Sequence, residues 1–138
     1  MNRSDIIIRD GRQLDVNFIA STWLKGLLYG GDELFRKMPK EVFFDNQHKV
    51  IEKILSSPVT RVKVACLKGD ADVILGYTVY REAGNQTVLD WCFVKKDWRG
   101  IGIAKSLVPD NVNAVTNLTR AAEAILVKYP KVIYNPYL

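Results

Sequence analysis

The sequence is poor in the residues that most metal and nucleophilic chemistry requires. Its 138 residues include one histidine, His48, and two cysteines, Cys66 and Cys92. A single histidine excludes histidine-rich metal sites and catalysis by paired histidines. Two widely separated cysteines do not have the spacing of a zinc site. We therefore predict that the protein holds no metal.

Long apolar runs and a P-loop are also missing. No run approaches the roughly 20 residues that span a bilayer, and the pattern GxxxxGK is absent. Residues 1–10 have mixed charge and lack the apolar centre of a signal peptide. We expect a cytoplasmic protein without a membrane partner. Both cysteines lie in apolar, strand-like stretches, which favours buried reduced thiols, with one disulfide as the alternative.

What is present is typical of a globular protein. The length suggests one domain, residues 1–138, and 48% hydrophobic with 25% charged residues is an ordinary composition. The net charge of +5 could serve solubility alone, or it could favour an anionic ligand, nucleic acid or an acidic protein surface. No block of five or six like charges forms a basic tail.

Hydrophobic periodicity predicts an α+β fold. After a first strand, Asp15 is a plausible N-cap for a helix that ends at Gly30–Gly31, and Pro39 opens a second helix. The strands are expected at 6–9, 61–67, 73–81, 87–94, 112–116 and 131–137, and the later helices at 102–108 and 120–129. The order is β-α-α-β-β-β-α-β-α-β, and its strand meander differs from strict βαβ alternation.

The most informative segment runs from Val88 to Leu107 and is typical of a strand, a glycine-bearing loop and a helix. Successive amides in such a loop make a site for a phosphate or pyrophosphate. Gly100 and Gly102 allow close approach of the backbone, while Arg99 and Lys105 add positive charge at the rim. The dinucleotide pattern GxGxxG fails because Lys105 occupies its third glycine position. An ordinary glycine-containing turn is the alternative.

The run Arg99-Gly100-Ile101-Gly102-Ile103-Ala104 resembles the signature of the GNAT superfamily of N-acetyltransferases. That signature is Arg/Gln-x-x-Gly-x-Gly/Ala after a strand that ends in a valine-like residue. Val94 matches the strand end, Trp98 the position before the arginine, and Leu107 an apolar position on the next helix. The resemblance covers most of the chain. As a whole, the chain resembles small uncharacterised GNAT-like proteins of phages and bacteria. It implies a GNAT-like fold, with a mixed central sheet flanked by helices.

The resemblance also implies acetyl-CoA as the cofactor and places it on particular residues. The backbone of Cys92 and Val94 would pair with the pantetheine arm like an added strand. An amide near Val94 would polarise the thioester carbonyl. The pyrophosphate would lie on the loop amides, which are those of Gly100, Ile101, Gly102, Ile103 and Ala104.

The catalytic residue suggested by the sequence is Asp90. Alternation along a strand would put Val88, Asp90, Cys92 and Val94 on one face. A carboxylate in an apolar strand needs a partner or a solvated cleft. Two interpretations remain open: Asp90 is the general base for the amine, or it is a strand aspartate paired with a lysine or arginine.

A general acid is not identified. The resemblance implies a tyrosine on the last helix, but that position holds Val127. Tyr129 lies two residues further on, which rotates it away, and Tyr134 is another alternative. The absence of the expected tyrosine leaves catalytic competence open.

The residues and the resemblance together predict an acetyl-CoA-dependent N-acetyltransferase. Its acceptor would be a primary amine, either a small molecule or a protein lysine or N-terminus. A binding module of the same fold without catalysis is one alternative. A nucleic-acid partner or modifier, suggested by the pI of about 9.2, is another. Whether the protein forms a homodimer is left open.

Overall fold

A computed structural model describes residues 3–30 and 33–138 of the chain. These form two compact units. The helical unit is Arg12–Thr60, and the sheet unit combines Met1–Gly11 with Arg61–Leu138. The single domain expected for residues 1–138 stays a prediction.

The helical unit contains three helices: α1 (Val16–Gly30), α2 (Glu33–Lys37) and α3 (Lys40–Ser56). Helix α1 begins directly after Asp15, but the prediction that Asp15 is its N-cap is wrong. Asp15 is the last residue of a 3-10 turn, Gln13–Asp15, and its carboxylate accepts a hydrogen bond of 2.6 Å from the backbone N–H of Arg12, which caps that turn. Helix α3 begins directly after Pro39, as predicted. Gly31, part of the predicted end of α1, lies outside the described residues. The sequence missed α2 because five residues are too few to show helical periodicity.

The sheet unit is built on a six-stranded mixed sheet whose spatial order follows the chain. Its strands are β1 (Ile6–Asp10), β2 (Thr60–Leu67), β3 (Asp70–Ala83), β4 (Gln86–Val94), β5 (Ala114–Val115) and β6 (Ile133–Tyr134). The pairs β1–β2 and β3–β4 are antiparallel, whereas β4–β5 and β5–β6 are parallel. The helices α4 (Ile103–Leu107) and α5 (Arg120–Lys128) complete the unit. The predicted order of elements is confirmed, with α2 added.

Two apolar clusters fasten α4 and α5 to the sheet. The first joins Leu89 and Cys92 of β4 to Val115 and, from α5, Ala122, all of them buried. The second joins buried Ile103 and Leu107 of α4 to Ala65 and Leu75, and the partly buried Val94, Trp98 and Ile101 pack on it. Burying a leucine or isoleucine side chain stabilises a fold by about 1.5–3 kcal/mol. These clusters therefore fix both ends of the loop between β4 and α4.

Strand β4 contains a one-residue bulge at Asp90. Val79 of β3 lies opposite Trp91, but the next residue, Tyr80, lies opposite Leu89, so Asp90 has no opposite residue. A bulge of this kind inverts the alternation of side chains along the strand. The expectation that Val88, Asp90, Cys92 and Val94 share one face is therefore wrong, because the register places Cys92 and Val94 on the face of Leu89. Sequence alternation alone could not reveal the extra residue.

No helix within residues 3–30 and 33–138 is long and apolar enough to cross a bilayer. The two cysteines, Cys66 and Cys92, are both buried and both free. The interpretation as buried thiols is thus confirmed over that of a disulfide.

Candidate functional site

The outer edge of β4 is open over its second half. Strand β5 pairs with β4 only at Val88 and Leu89, whereas β4 continues to Val94. The neighbouring connection to α5 makes two more bonds and then departs. In these, the Thr116 amide donates to the Leu89 carbonyl (3.0 Å) and the Asn117 side-chain amide donates to the Asp90 carbonyl (2.8 Å). A gap therefore begins just beyond Asp90.

The bulge decides which backbone groups face this gap. Beyond it, the Trp91 carbonyl accepts from the Thr78 hydroxyl of β3, and the Lys95 amide donates to the Leu75 carbonyl of the same strand. Because backbone groups alternate between the two edges of a strand, those of Cys92 and Val94 point to the open edge. These are the two residues that the sequence assigned to the pantetheine arm.

Arg99 closes the far end of this edge. Its Nε donates to the Val94 carbonyl at 3.0 Å, while the residue as a whole is exposed. The sequence placed Arg99 at the rim of a phosphate site, and the structure shows that it also binds the last carbonyl of β4. Lys105, the second basic residue of the motif, is exposed on α4.

The loop from Arg99 to α4 presents a row of backbone amides. Gly100 and Gly102 have φ of 84° and 86°, a left-handed conformation that residues with a Cβ adopt at a cost. Among the backbone hydrogen bonds between described residues, none is donated by the amide of Gly100, Ile101 or Gly102. The amides in the first turn of α4, including those of Ile103 and Ala104, have no carbonyl partner within the helix.

The side chains of this loop are used for anchoring. Ile103 is buried, and Ile101 packs with it in the cluster around Leu75 and Leu107. The loop therefore offers its backbone to a ligand while its apolar side chains hold it in place. Helix α4 has only five residues, so its dipole adds little and the amides themselves would make the anion site.

Cys92 is not equipped to be a nucleophile. Burial raises the pKa of its thiol to about 12, and a hydrogen bond with Thr78 opposes this shift only in part. A thiol with that pKa is protonated at neutral pH and hence unreactive. Its backbone, rather than its sulfur, is the functional candidate.

In the structure, Asp90 forms an ion pair with an arginine, which is the second of the two interpretations of this residue. Its side chain is fully buried and lies against Arg81 of β3, with two hydrogen bonds of 2.7 Å each. The Thr116 hydroxyl donates a third bond, of 2.8 Å. The sequence reasoning missed Arg81, Thr116 and Asn117. The two-residue turn at Gly84–Asn85 could have indicated Arg81, because it sets Arg81 opposite Val88 and hence diagonal to Asp90.

None of the three positions considered for a general acid has an assigned catalytic role. Val127 is 86% exposed, Tyr129 is 51% exposed and Tyr134 is 47% exposed. The part of α5 that packs near Cys92 comprises small and aliphatic residues, among them Ala122 and Ile125. A general acid on α5 is therefore not identified among the described residues.

Comparison with known proteins shows the fold. No protein-family model and no curated protein matches the chain, but solved structures do. A candidate acetyl transferase from Pyrococcus furiosus has 19% identity and a TM-score of 0.60, with 93% of this chain and 79% of that one covered. An alanine N-acetyltransferase of ribosomal proteins from Brucella melitensis has 13% identity and a TM-score of 0.50, covering 94% and 77%. A GNAT-family acetyltransferase from Staphylococcus aureus Mu50 has 17% identity and a TM-score of 0.50, covering 74% and 61%.

These identities are low, so the likeness concerns the fold alone. The mixed six-stranded sheet of this chain, flanked by helices, has the fold of the GNAT acetyltransferases. The resemblance that the Arg99–Ala104 motif suggested is thus confirmed at the level of architecture.

Proposed function

We propose that the protein transfers an acetyl group from acetyl-CoA to a primary amine. One observation carries the proposal: the open half of the β4 edge leads directly into a loop in which the amides of Gly100, Ile101 and Gly102 donate to no backbone acceptor among the described residues. An edge strand followed by an anion-binding loop suits a ligand that joins an amide-containing arm to a pyrophosphate. Coenzyme A has this combination.

The residues present fit such a ligand. The open edge offers the N–H groups of Cys92 and Val94 and the C=O group of Cys92 to the amides of the pantetheine arm, as a neighbouring strand would. A Cβ added to Gly100 would meet nothing within 4 Å, so the space beside Gly100 is open. The exposed charges of Arg99 and Lys105 favour an anion there.

The reaction forms a C–N bond as the C–S bond of the thioester breaks. The amine must lose a proton, and the sulfur that leaves must gain one. The chain would contribute a backbone amide near Val94, which donates to the oxygen on which negative charge develops. The base role of Asp90 stays a prediction, and it requires the carboxylate to exchange Arg81 or Thr116 for the amine or for water.

The acceptor is proposed only as a class, either a small amine or the lysine or N-terminus of a protein. A direct test is to incubate the purified protein with acetyl-CoA and a panel of amines, and to follow release of the CoA thiol. The panel should contain a polyamine, a lysine-containing peptide and a peptide with a free N-terminal alanine. We expect amine-dependent thiol release with at least one class, and acetylated product by mass spectrometry.

One observation favours a second candidate, a module of the same fold that binds CoA without catalysis. The helix position where a tyrosine acid is expected holds Val127, which is 86% exposed. Tight binding of acetyl-CoA together with no product from any amine would support this candidate over the enzyme.

A further inference from the structure

We infer that Arg81, Asp90, Thr116 and Asn117 are positioning residues that fix the β4 bulge and thereby turn the amides of Cys92 and Val94 toward the open edge. The inference rests on the proposed function, because it concerns the edge assigned there to the pantetheine arm. It gives Asp90 a structural task at the site in place of proton transfer.

The bulge determines which part of the strand meets the ligand. Before it, the carbonyls of Thr87 and Leu89 point toward β5, where they accept from Asn113 and Thr116. A regular strand would continue this alternation and present Trp91 and Phe93 at the same edge. The extra residue shifts the alternation by one, so Cys92 and Val94 are presented instead.

All three oxygens of Asp90 are bound by side chains from two elements. Arg81 Nη2 and the Thr116 hydroxyl donate to Oδ1, Arg81 Nε donates to Oδ2, and Asn117 Nδ2 donates to the backbone carbonyl. The four bonds measure 2.7–2.8 Å. A bulge residue lacks the ladder bonds of a paired residue. The Asn117 amide supplies a bond to the Asp90 backbone carbonyl, and the other three bonds hold the Asp90 side chain.

Stability alone does not explain a buried ion pair at Asp90, because removing two charges from water costs free energy. Replacing a buried ion pair with apolar residues of similar volume is often neutral or stabilising. An apolar residue at position 90 could accept none of the Arg81 and Thr116 hydrogen bonds. We therefore assign to the ion pair the role of holding β4 in one geometry. In that geometry both Arg81 and Thr116 face the bulge.

The test is the double variant Arg81→Met/Asp90→Leu, which removes the charges and keeps side-chain volume. Its matched control is Lys63→Met/Asp10→Leu, which removes the cross-strand ion pair of β1 and β2. Acetyl-CoA affinity is measured by calorimetry, and amide hydrogen exchange is measured at Trp91 and Phe93, which face β3.

We expect the double variant to fold, with a melting temperature near or above that of wild type. Its acetyl-CoA affinity should fall about tenfold or more, and Trp91 and Phe93 should exchange faster, while the control behaves like wild type. A folded double variant with wild-type affinity would overturn the inference, as would unchanged exchange at Trp91 and Phe93.

A second variant, Asn117→Ala, removes a single donor and leaves the ion pair in place. It should weaken acetyl-CoA binding in the same direction, by about threefold. Failure of wild type itself to bind acetyl-CoA would refute the proposed function. That result is distinguishable, because it appears without any substitution, and the exchange rates would still report on the bulge.

Discussion

Arg81 holds Asp90 through a two-pronged ion pair, with Nε on Oδ2 and Nη2 on Oδ1, both at 2.7 Å. The two residues lie on adjacent strands of one hairpin, β3 and β4, and the aspartate is the bulged residue of β4. The Asp90 side chain is fully buried, whereas that of Arg81 is 21% exposed. The pair thus connects the stability of the hairpin to the shape of the candidate cofactor edge.

Asp90→Asn should destabilise the protein. The substitution leaves the Arg81 guanidinium without its counter-charge, and breaking a buried pair in this way costs about 3 kcal/mol. Urea unfolding monitored by tryptophan fluorescence gives the value. Asp10→Asn, at an exposed pair with Lys63, is the control and should change stability by less than about 1 kcal/mol. An Asp90→Asn variant that is as stable as wild type but inactive would instead support a general base.

Alkaline pH should reduce stability through Cys92. Burial raises the pKa of this thiol from 9.0 to about 12, so the unfolded chain releases the proton at lower pH than the folded one. The stabilisation is complete below about pH 9 and is lost as pH rises toward 12, with a slope of up to about 1.4 kcal/mol per pH unit. Unfolding free energies at pH 8 and pH 10 should differ less in Cys92→Ala than in wild type. Equal pH slopes in the two proteins would contradict this burial of the thiol.

Gly102→Glu should abolish acetyl-CoA binding while the protein stays folded. The substitution strains a backbone with φ of 86° and places a carboxylate where the pyrophosphate is proposed to lie. Gly84→Glu in the β3–β4 turn is a matched control, because that glycine also has positive φ, 60°, and open space around it. Both variants should lose about 1–2 kcal/mol of stability. Wild-type affinity in Gly102→Glu would refute the assignment of the loop.

Gly76→Ala should destabilise the sheet at the end of β4. A Cβ on this buried residue would lie 2.6 Å from the Phe93 carbonyl oxygen and 3.2 Å from the Val94 Cα, so the two strands would have to separate. Overpacking of this kind costs about 1–3 kcal/mol. Thermal unfolding measures the loss, with Gly69→Ala as a control at a turn where an added Cβ meets nothing. Equal melting temperatures for the two variants would contradict the close approach of β3 and β4.

Much of the fold was predictable because its signals are local. Alternating apolar residues, the turn at Gly84–Asn85 and the proline before α3 located most elements to within a few residues. The glycine motif indicated the loop, because Gly100 and Gly102 are needed at positive φ. Strand β6 was predicted too long, since Ile133–Tyr134 is its paired part and Pro136 offers no amide.

The chemistry around Asp90 was not predictable in the same way. A bulge depends on pairing between strands, and no local pattern in residues 86–94 reveals that Asp90 is unopposed. Its partners Arg81, Thr116 and Asn117 lie nine, 26 and 27 residues away in sequence. Contacts at that separation follow from the register and from the path of the chain after β5.

The most direct test of the proposed function is titration calorimetry of the purified wild-type protein with acetyl-CoA, with free CoA and NAD as comparisons. We predict acetyl-CoA binding with a Kd in the micromolar range or tighter, which corresponds to about −8 kcal/mol, and no comparable heat from NAD. Absence of both heat and thermal stabilisation by acetyl-CoA would contradict the account, because the open β4 edge and the glycine loop would then not form a cofactor site.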